Sequence, residues 1–206
     1  MLFRRLCALY LGLWFYGFSM AVMIRAALGL DPWDVFHQGV ARHLPVSFGT
    51  VTALTGVAVL LAWIPLRQRP GLGTVSNVVV IAVSVDAGLW LLPELHALVP
   101  RALAMAAAVL LNAVATVLYI GAGMGPGPRD GLMTGLVGRT GWPVWGVRTG
   151  IEATVLCIGW LLGGSLGVGT VVYAFGIGPL IHLLIPFVDR FLPGFHTERA
   201  PEPAPA

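Results

Sequence analysis

Six apolar runs, at residues 6–28, 48–66, 74–92, 101–123, 146–163 and 170–188, take up most of the chain and leave it few ways to fold. Each approaches the roughly 20 residues that cross a hydrocarbon core about 30 Å thick. In lipid every backbone N–H and C=O must be satisfied within the protein, so such runs become helices. The polar inventory agrees: 57% of the 206 residues are apolar, 10% are charged and mean hydropathy is +0.87, too little polar surface to coat a water-soluble globule. The expectation is an all-α membrane protein. The first run follows Arg4 and Arg5 as a signal peptide would. Its apolar stretch is too long and lacks a convincing small-residue cleavage site, so it reads as a retained helix.

Charge placement sets the expected orientation. All twelve basic residues are Arg. With a cytoplasmic N-terminus, Arg4, Arg5, Arg67, Arg69, Arg129, Arg139, Arg148, Arg190 and Arg199 fall on the cytoplasmic side and only Arg25, Arg42 and Arg101 outside. Nine against three is a positive-inside bias, and both termini are expected in the cytoplasm. The net charge of +3 flanks helices instead of forming one stripe, which argues against nucleic acid as a partner. Cys7 and Cys157 lie inside apolar runs and read as small hydrophobes. Residues 193–206, ending "TERAPEPAPA", are expected to form a disordered tail.

The chain also repeats itself. At a constant offset of 96, Arg5 matches Arg101, Gly29 Gly125, Pro32 Pro128, Asp34 Asp130, Gly39 Gly135, Gly73 Gly169 and Thr74 Thr170. Residues 1–95 and 96–192 thus form two repeats, each with three spanning runs and one short segment, 33–44 or 129–140. At about 1.5 Å per residue the short segments are too short to cross. Three spans are an odd number, so the second repeat enters from the opposite side and the repeats are inverted. Six spans and two short helices, interfacial or re-entrant, are expected.

Within each repeat, Gly29 or Gly125 suits a helix end, Pro32 or Pro128 a first helical position, and Asp34 or Asp130 the first turn, facing the positive end of the helix dipole. Thr74 and Thr170, in "PGLGT" and "LGVGT", are placed to cap the third helix of each half. In the first short segment Trp33, Phe36, Val40 and Leu44 share one face and Asp34, Gln38 and Arg42 another, the pattern of an interfacial amphipathic helix. In the second, Gly131, Gly135 and Gly138 would let another helix approach closely. Trp63, Trp90, Trp142, Trp145 and Trp160 lie near helix ends, as an aromatic belt requires.

From residue 5 to about 190, the succession "GLDPWD", "PGLGT" with Asn77, Asp86, "GPRDGLMTGL", "RTG", "VRTGIE" and "LGVGT" resembles the YczE/YyaS/YitT group of bacterial integral membrane proteins, in particular its YczE-like branch. The resemblance implies a multi-pass architecture and a membrane location and carries over no catalytic residue. Ala82, where the family pattern tends to have Gly, departs from it in packing only.

Charges inside spans are costly and mark function by default. Asp86 and its repeat partner His182 are expected to face the interface between the halves and to serve a proton- or cation-coupled site. Arg148 and Glu152, spaced i, i+4, can pair on one helix face and are candidates for a solute path or gate. Asn77 and Asn112 complete the candidates, although such residues also join helices. "GGSLG" at residues 163–167 fits G-x-S-x-G but lacks the strand that a nucleophile elbow needs, and "GAGMGPGP" lacks a phosphate-binding Lys. Neither the five His nor the two Cys show metal-ligand spacing, so no enzyme activity, metal or cofactor is expected. The leading expectation is a small secondary transporter or exporter of a small solute, a second copy of the chain being a candidate partner. The rival is a non-transporting membrane protein that assists or regulates a partner enzyme or receptor.

The orientation can be checked with Cys-free variants carrying single Cys residues at Gln68, Glu94 or Ser165, probed in intact cells with an impermeant thiol reagent. Labelling at positions 94 and 165 but not 68 is expected. The opposite pattern would reverse the orientation.

Overall fold

The structure, a computed structural model, describes residues 2–191, and the expected tail 193–206 lies outside the described residues. Eight helices follow one another: α1 (Leu2–Ala26), α2 (Pro32–Ala41), α3 (Phe48–Leu66), α4 (Leu72–Leu91), α5 (Leu98–Gly121), α6 (Pro128–Thr140), α7 (Val144–Leu161) and α8 (Val168–Phe191). Each apolar run forms a helix within a few residues of its expected bounds. Five, α1, α3, α4, α5 and α8, are long and apolar enough to cross a membrane. The 18-residue α7, which carries Arg148 and Glu152, is not among them.

The repeat reappears as paired geometry. Ala27, with φ of 50°, directly follows α1, and Gly123, with φ of 59°, follows the last residue of α5 by two positions. The left-handed stop expected at Gly29 and Gly125 therefore falls two residues earlier. Those two glycines take φ of 117° and 118° and turn the chain back toward the bundle. A Cβ on either would meet the hydroxyl of Thr170 or Thr74 within 2.8 Å. The threonines act three positions into their helices instead of at the cap position. The N–H of Gly71 donates to Thr74 Oγ1 at 3.1 Å and that of Gly167 to Thr170 Oγ1 at 3.4 Å. This is one half of a capping box.

Helices α1 and α5 run antiparallel at the centre. At one end Arg5 donates to the carbonyls of Ala122 and Gly123, each at 2.7 Å. At the other, Arg101 donates to those of Ala26, at 2.8 Å, and Ala27. Between them the helices touch closely, for a Cβ on Gly12 would lie 2.7 Å from the Tyr119 nitrogen. Lipid is as apolar as Leu, so small residues and buried hydrogen bonds hold such a seam. Asn112 supplies the latter, donating to Ser19 Oγ at 2.9 Å and accepting from the Tyr173 hydroxyl at 3.1 Å. Helix α4 packs on α1 and α8 on α5. Gly73 N–H donates to Met124 O and Gly169 N–H to Leu28 O, both at 2.7 Å, which ties each of these helix starts to the loop of the other half.

The short helices are exchanged between halves: α2 packs on α7 and α6 on α3. Gly39 and Gly159 bring the α2 and α7 backbones together, since a Cβ on Gly159 would lie 2.4 Å from the Phe36 backbone. Gly131 and Gly135 do the same against Trp63 and Leu66, whereas Gly138 meets nothing. The two helices run toward opposite ends of the bundle. Arg42, after α2, reaches Gly163 O beside the C-terminal end of α1. Arg139, near the end of α6, donates to Pro65 O at 2.6 Å at the other end. Each therefore forms the outward limb of a segment that first turns back into the bundle. The interfacial reading of α2 is corrected accordingly, because its polar residues Asp34 and His37 are buried and Leu44 is exposed. Trp63 leaves the expected belt as well: it is buried and donates to Pro128 O at 3.0 Å. Trp90, Trp142, Trp145 and Trp160 are exposed.

Arg5→Ala and Arg101→Ala each remove two carbonyl partners from one end of the same seam, and each should cost about 1–2 kcal/mol. A fall in Tm in detergent for both variants is the expected result. A fall for only one would show that the two ends do not share the load.

Candidate functional site

The starts of the two short helices meet inside the bundle. In α2, Asp31 is the N-cap and its Oδ1 accepts from the N–H groups of Trp33 and Asp34, each at 2.9 Å. Pro32 occupies the first helical position, where a missing N–H is harmless. In α6, Gly127 is the cap residue and lacks a side-chain cap, and Asp130 sits in the first turn, accepting from the Tyr119 hydroxyl at 3.1 Å. Each half-helix thus brings a carboxylate to its positive dipole end.

Arg129 crosses from the α6 start to the α2 start. Its Nη1 lies 3.8 Å from Asp31 Oδ1 and its Nη2 3.7 Å from Asp34 Oδ1, while its guanidinium carbon stands 4.9 Å over the Trp33 ring. Both acids are buried, at 1% and 0% exposure. The second oxygen of each, Oδ2, has no hydrogen-bond partner among the described residues. His37, also buried, places Nδ1 3.2 Å from Asp34 Oδ1 and 3.3 Å from Thr52 Oγ1, so the polar chain continues to α3.

Two cavities of about 80 Å³ and about 110 Å³ flank this pair, sharing Tyr16, Trp33, Arg129 and Asp130 in their walls. Tyr16 lies near the middle of the 25-residue α1, which puts the site about halfway along the bundle. The first cavity extends to Thr52 on α3 and Asn77 on α4, the second to Arg148 and Glu152 on α7 and Tyr173 on α8. Each has room for a handful of waters or a small polar solute. Four carboxylates and two guanidiniums converge here, and low dielectric strengthens every interaction among them.

The residues singled out from the sequence separate into two groups. Arg148 and Glu152 pair at 2.9 Å and line the second cavity, Asn77 lines the first, and Asp34 and Asp130 belong to the charged centre. Asn112 joins α1, α5 and α8 instead. Asp86 and His182 do not form the expected shared site. Asp86 accepts from Ser47 Oγ at 2.5 Å and from Gly49 N–H at 2.8 Å, so it holds the start of α3 against α4. His182 is exposed on α8. The reason is positional, because inversion relates depths along two helices but leaves the direction of each side chain to packing. Ser165, of "GGSLG", lies between α7 and α8, where its N–H donates to Gln38 Oε1 at 2.7 Å.

Sequence reasoning missed Asp31, Trp33 as a cation partner, His37, Arg129 and the three tyrosines. Asp31 was readable, since an Asp directly before Pro at a helix start is an N-cap signal. Arg129 stands beside the buried Asp31 and Asp34 instead of flanking a span on the cytoplasmic side. With Arg129 and Arg148 both beside the cavities, the count of flanking arginines becomes seven against three.

Among the described residues every regular element is a helix, five of them long and apolar enough to cross a membrane, and a charged cluster lies inside the bundle, the make-up of a multi-pass membrane protein. It belongs to the family described as "Family of unknown function (DUF6198)", which matches residues 3–186. The chain is 34% identical over 188 residues to an "Uncharacterized protein" of Haemophilus influenzae, covering 91% of this chain and 86% of that one. It is 33% identical over 180 residues to "Uncharacterized membrane protein YczE" of Bacillus subtilis, covering 86% and 83%. To "Uncharacterized protein YyaS" of the same organism it is 21% identical over 184 residues, covering 87% and 92%. These relatives bear out the resemblance read from the motifs. No solved structure gives a significant match.

Removal of the Asp86 carboxylate should cost about 1–3 kcal/mol, since Ser47 and Gly49 lose a charged acceptor. Asp86→Ala is expected to lower Tm in detergent, and Asp86→Asn to lower it less, because one carbonyl oxygen survives to accept from Gly49. Equal Tm values for wild type and Asp86→Ala would remove its structural role.

Proposed function

We propose that the protein is a secondary transporter of a small solute in the bacterial cytoplasmic membrane, built from two inverted repeats of three spans with both termini cytoplasmic. The observation that carries this reading is the meeting of two half-helix starts around a charged cavity halfway along the bundle. Irregular backbone and ionised groups are tolerated at membrane depth only where protein buries them or a water-filled cavity meets them. Half-helices that converge on the midplane from opposite sides are a recurring solute site in inverted-repeat transporters.

Further support comes from the pairs of contacts at an offset of 96 and from the antiparallel course of α1 and α5, which an inverted repeat requires. Helix α7 is taken as the sixth span. Its 18 residues give a length of about 27 Å, and its two charges pair with each other beside a cavity. In this reading no bond of the solute is made or broken. The two cavities are its approaches from the two sides, with the Arg129 and Trp33 pair between them.

Purified protein in sealed liposomes, assayed for counterflow of labelled small metabolites of either charge, tests the proposal. Saturable counterflow of at least one solute, reduced at least tenfold in Asp34→Asn, is the expected outcome. Absence of counterflow across the panel, with protein shown to be folded by its Tm, would refute transport.

A further inference from the structure

We infer that Asp31, Asp34 and Trp33 form a binding subsite for an organic cation of guanidinium or ammonium type, which Arg129 fills from within the molecule. This deepens the transport reading and rests on it for the claim that the cation is carried.

Three observations carry the inference. First, the arrangement around Arg129 is itself a guanidinium site: an indole face 4.9 Å from the guanidinium carbon and two buried carboxylates beside its nitrogens. Cations are drawn to an indole face, the more so when they are desolvated. Second, the occupant is loosely held. Its nitrogens stand 3.7 and 3.8 Å from the nearest carboxylate oxygens, beyond hydrogen-bond distance, and its side chain keeps 27% exposure toward the cavities. A bidentate Arg–carboxylate pair would close to about 2.7–2.9 Å. Third, both acids retain an unpartnered buried Oδ2, and Asp31 lines the larger of the two cavities. An orphaned buried carboxylate oxygen calls for a donor.

The charge balance selects a cation over an anion. Asp31, Asp34, Asp130 and Glu152 are four carboxyl groups set against the two guanidiniums of Arg129 and Arg148, with the His37 ring beside Asp34, so acids outnumber the fixed cations. Two helix starts would ordinarily favour an anion. Here the α2 start is capped by the Asp31 carboxylate and the α6 start carries Asp130 in its first turn, so both dipole ends already face a carboxylate.

The arrangement has a mechanical consequence. An incoming cation takes the two carboxylates and the indole face, and Arg129 swings toward the vacated cavity. When the cation leaves, Arg129 returns, so the acids are never left without a counter-charge at a depth where that would be costly. Loss of Arg129 should therefore tighten binding and slow release.

Methylguanidinium serves as the probe, with acetate as the anionic control, in thermal-shift titrations of the detergent-purified full chain. Wild type is expected to be stabilised saturably by methylguanidinium at millimolar concentration and not by acetate. Arg129→Gln should bind the probe at least tenfold more tightly and yet lose counterflow in liposomes. Asp34→Asn and, as an independent variant, Trp33→Leu should each weaken binding at least fivefold. Stabilisation of wild type by acetate that Arg129→Gln abolishes would make Arg129 a ligand for an anion and overturn the inference while leaving transport standing. Unchanged methylguanidinium affinity in Arg129→Gln, or in both other variants, would overturn it as well. Binding as expected without counterflow of any cation would uphold the subsite and refute transport.

Discussion

The antiparallel seam of α1 and α5 is the constraint on which the rest of the molecule depends. Arginines close it at both ends by donating to backbone carbonyls that a finished helix leaves without partners. Gly12 lets the backbones touch along its length, and Ser19, Asn112 and Tyr173 cross-link it in the middle. Apolar burial contributes little when the alternative surroundings are lipid, so close approach and buried polar bonds must supply the cohesion. Helix α4 then lies on α1 and α8 on α5, and the two loops that follow the seam are held against the starts of these helices.

That arrangement forces the short helices inward. After Ala27 and Gly123 the chain turns at Gly29 and Gly125, where positive φ and the threonine hydroxyls leave no place for a side chain. It then reaches the middle of the bundle before α2 and α6 begin. The first N–H groups of a helix that starts there need partners, and Asp31 supplies two of the bonds for α2. Once an acid is committed as a buried cap, a counter-charge must stand near it. Arg129, the repeat counterpart of Trp33, provides it.

The two halves therefore share these paired contacts and differ in chemistry. Where α2 has Asp31, Trp33 and His37, α6 has Gly127, Arg129 and Met133 at the equivalent positions. At these positions one half contributes an acid, an aromatic face and an imidazole, the other a cation. A strictly symmetric pair would place like charges together at the axis, a costly arrangement at low dielectric. Divergence at these positions converts a structural junction into a site with one chemical sense.

Much was legible before any tertiary contact was known. Helix number and limits follow from apolar run length, because the bilayer core fixes how many residues a span needs. The pairing of Arg5 with Arg101, Gly73 with Gly169 and Thr74 with Thr170 follows from the constant offset, and each pair proves to do the same job twice. The site was legible only in part. Asp34, Asp130, Arg148, Glu152 and Asn77 could be named as charged or polar groups near helix starts or within spans, but nothing local distinguishes an acid that faces a cavity from one that holds a helix end. Asp86 shows the difficulty, since its two partners lie 37 and 39 residues away. Arg129 and Asp31, 98 positions apart, become neighbours only because both short helices turn back to mid-height. Run lengths and repeats record the requirements of lipid and of the backbone, which act locally. Which charges meet depends on side-chain direction and on how two halves interlock, and those are decided only by packing.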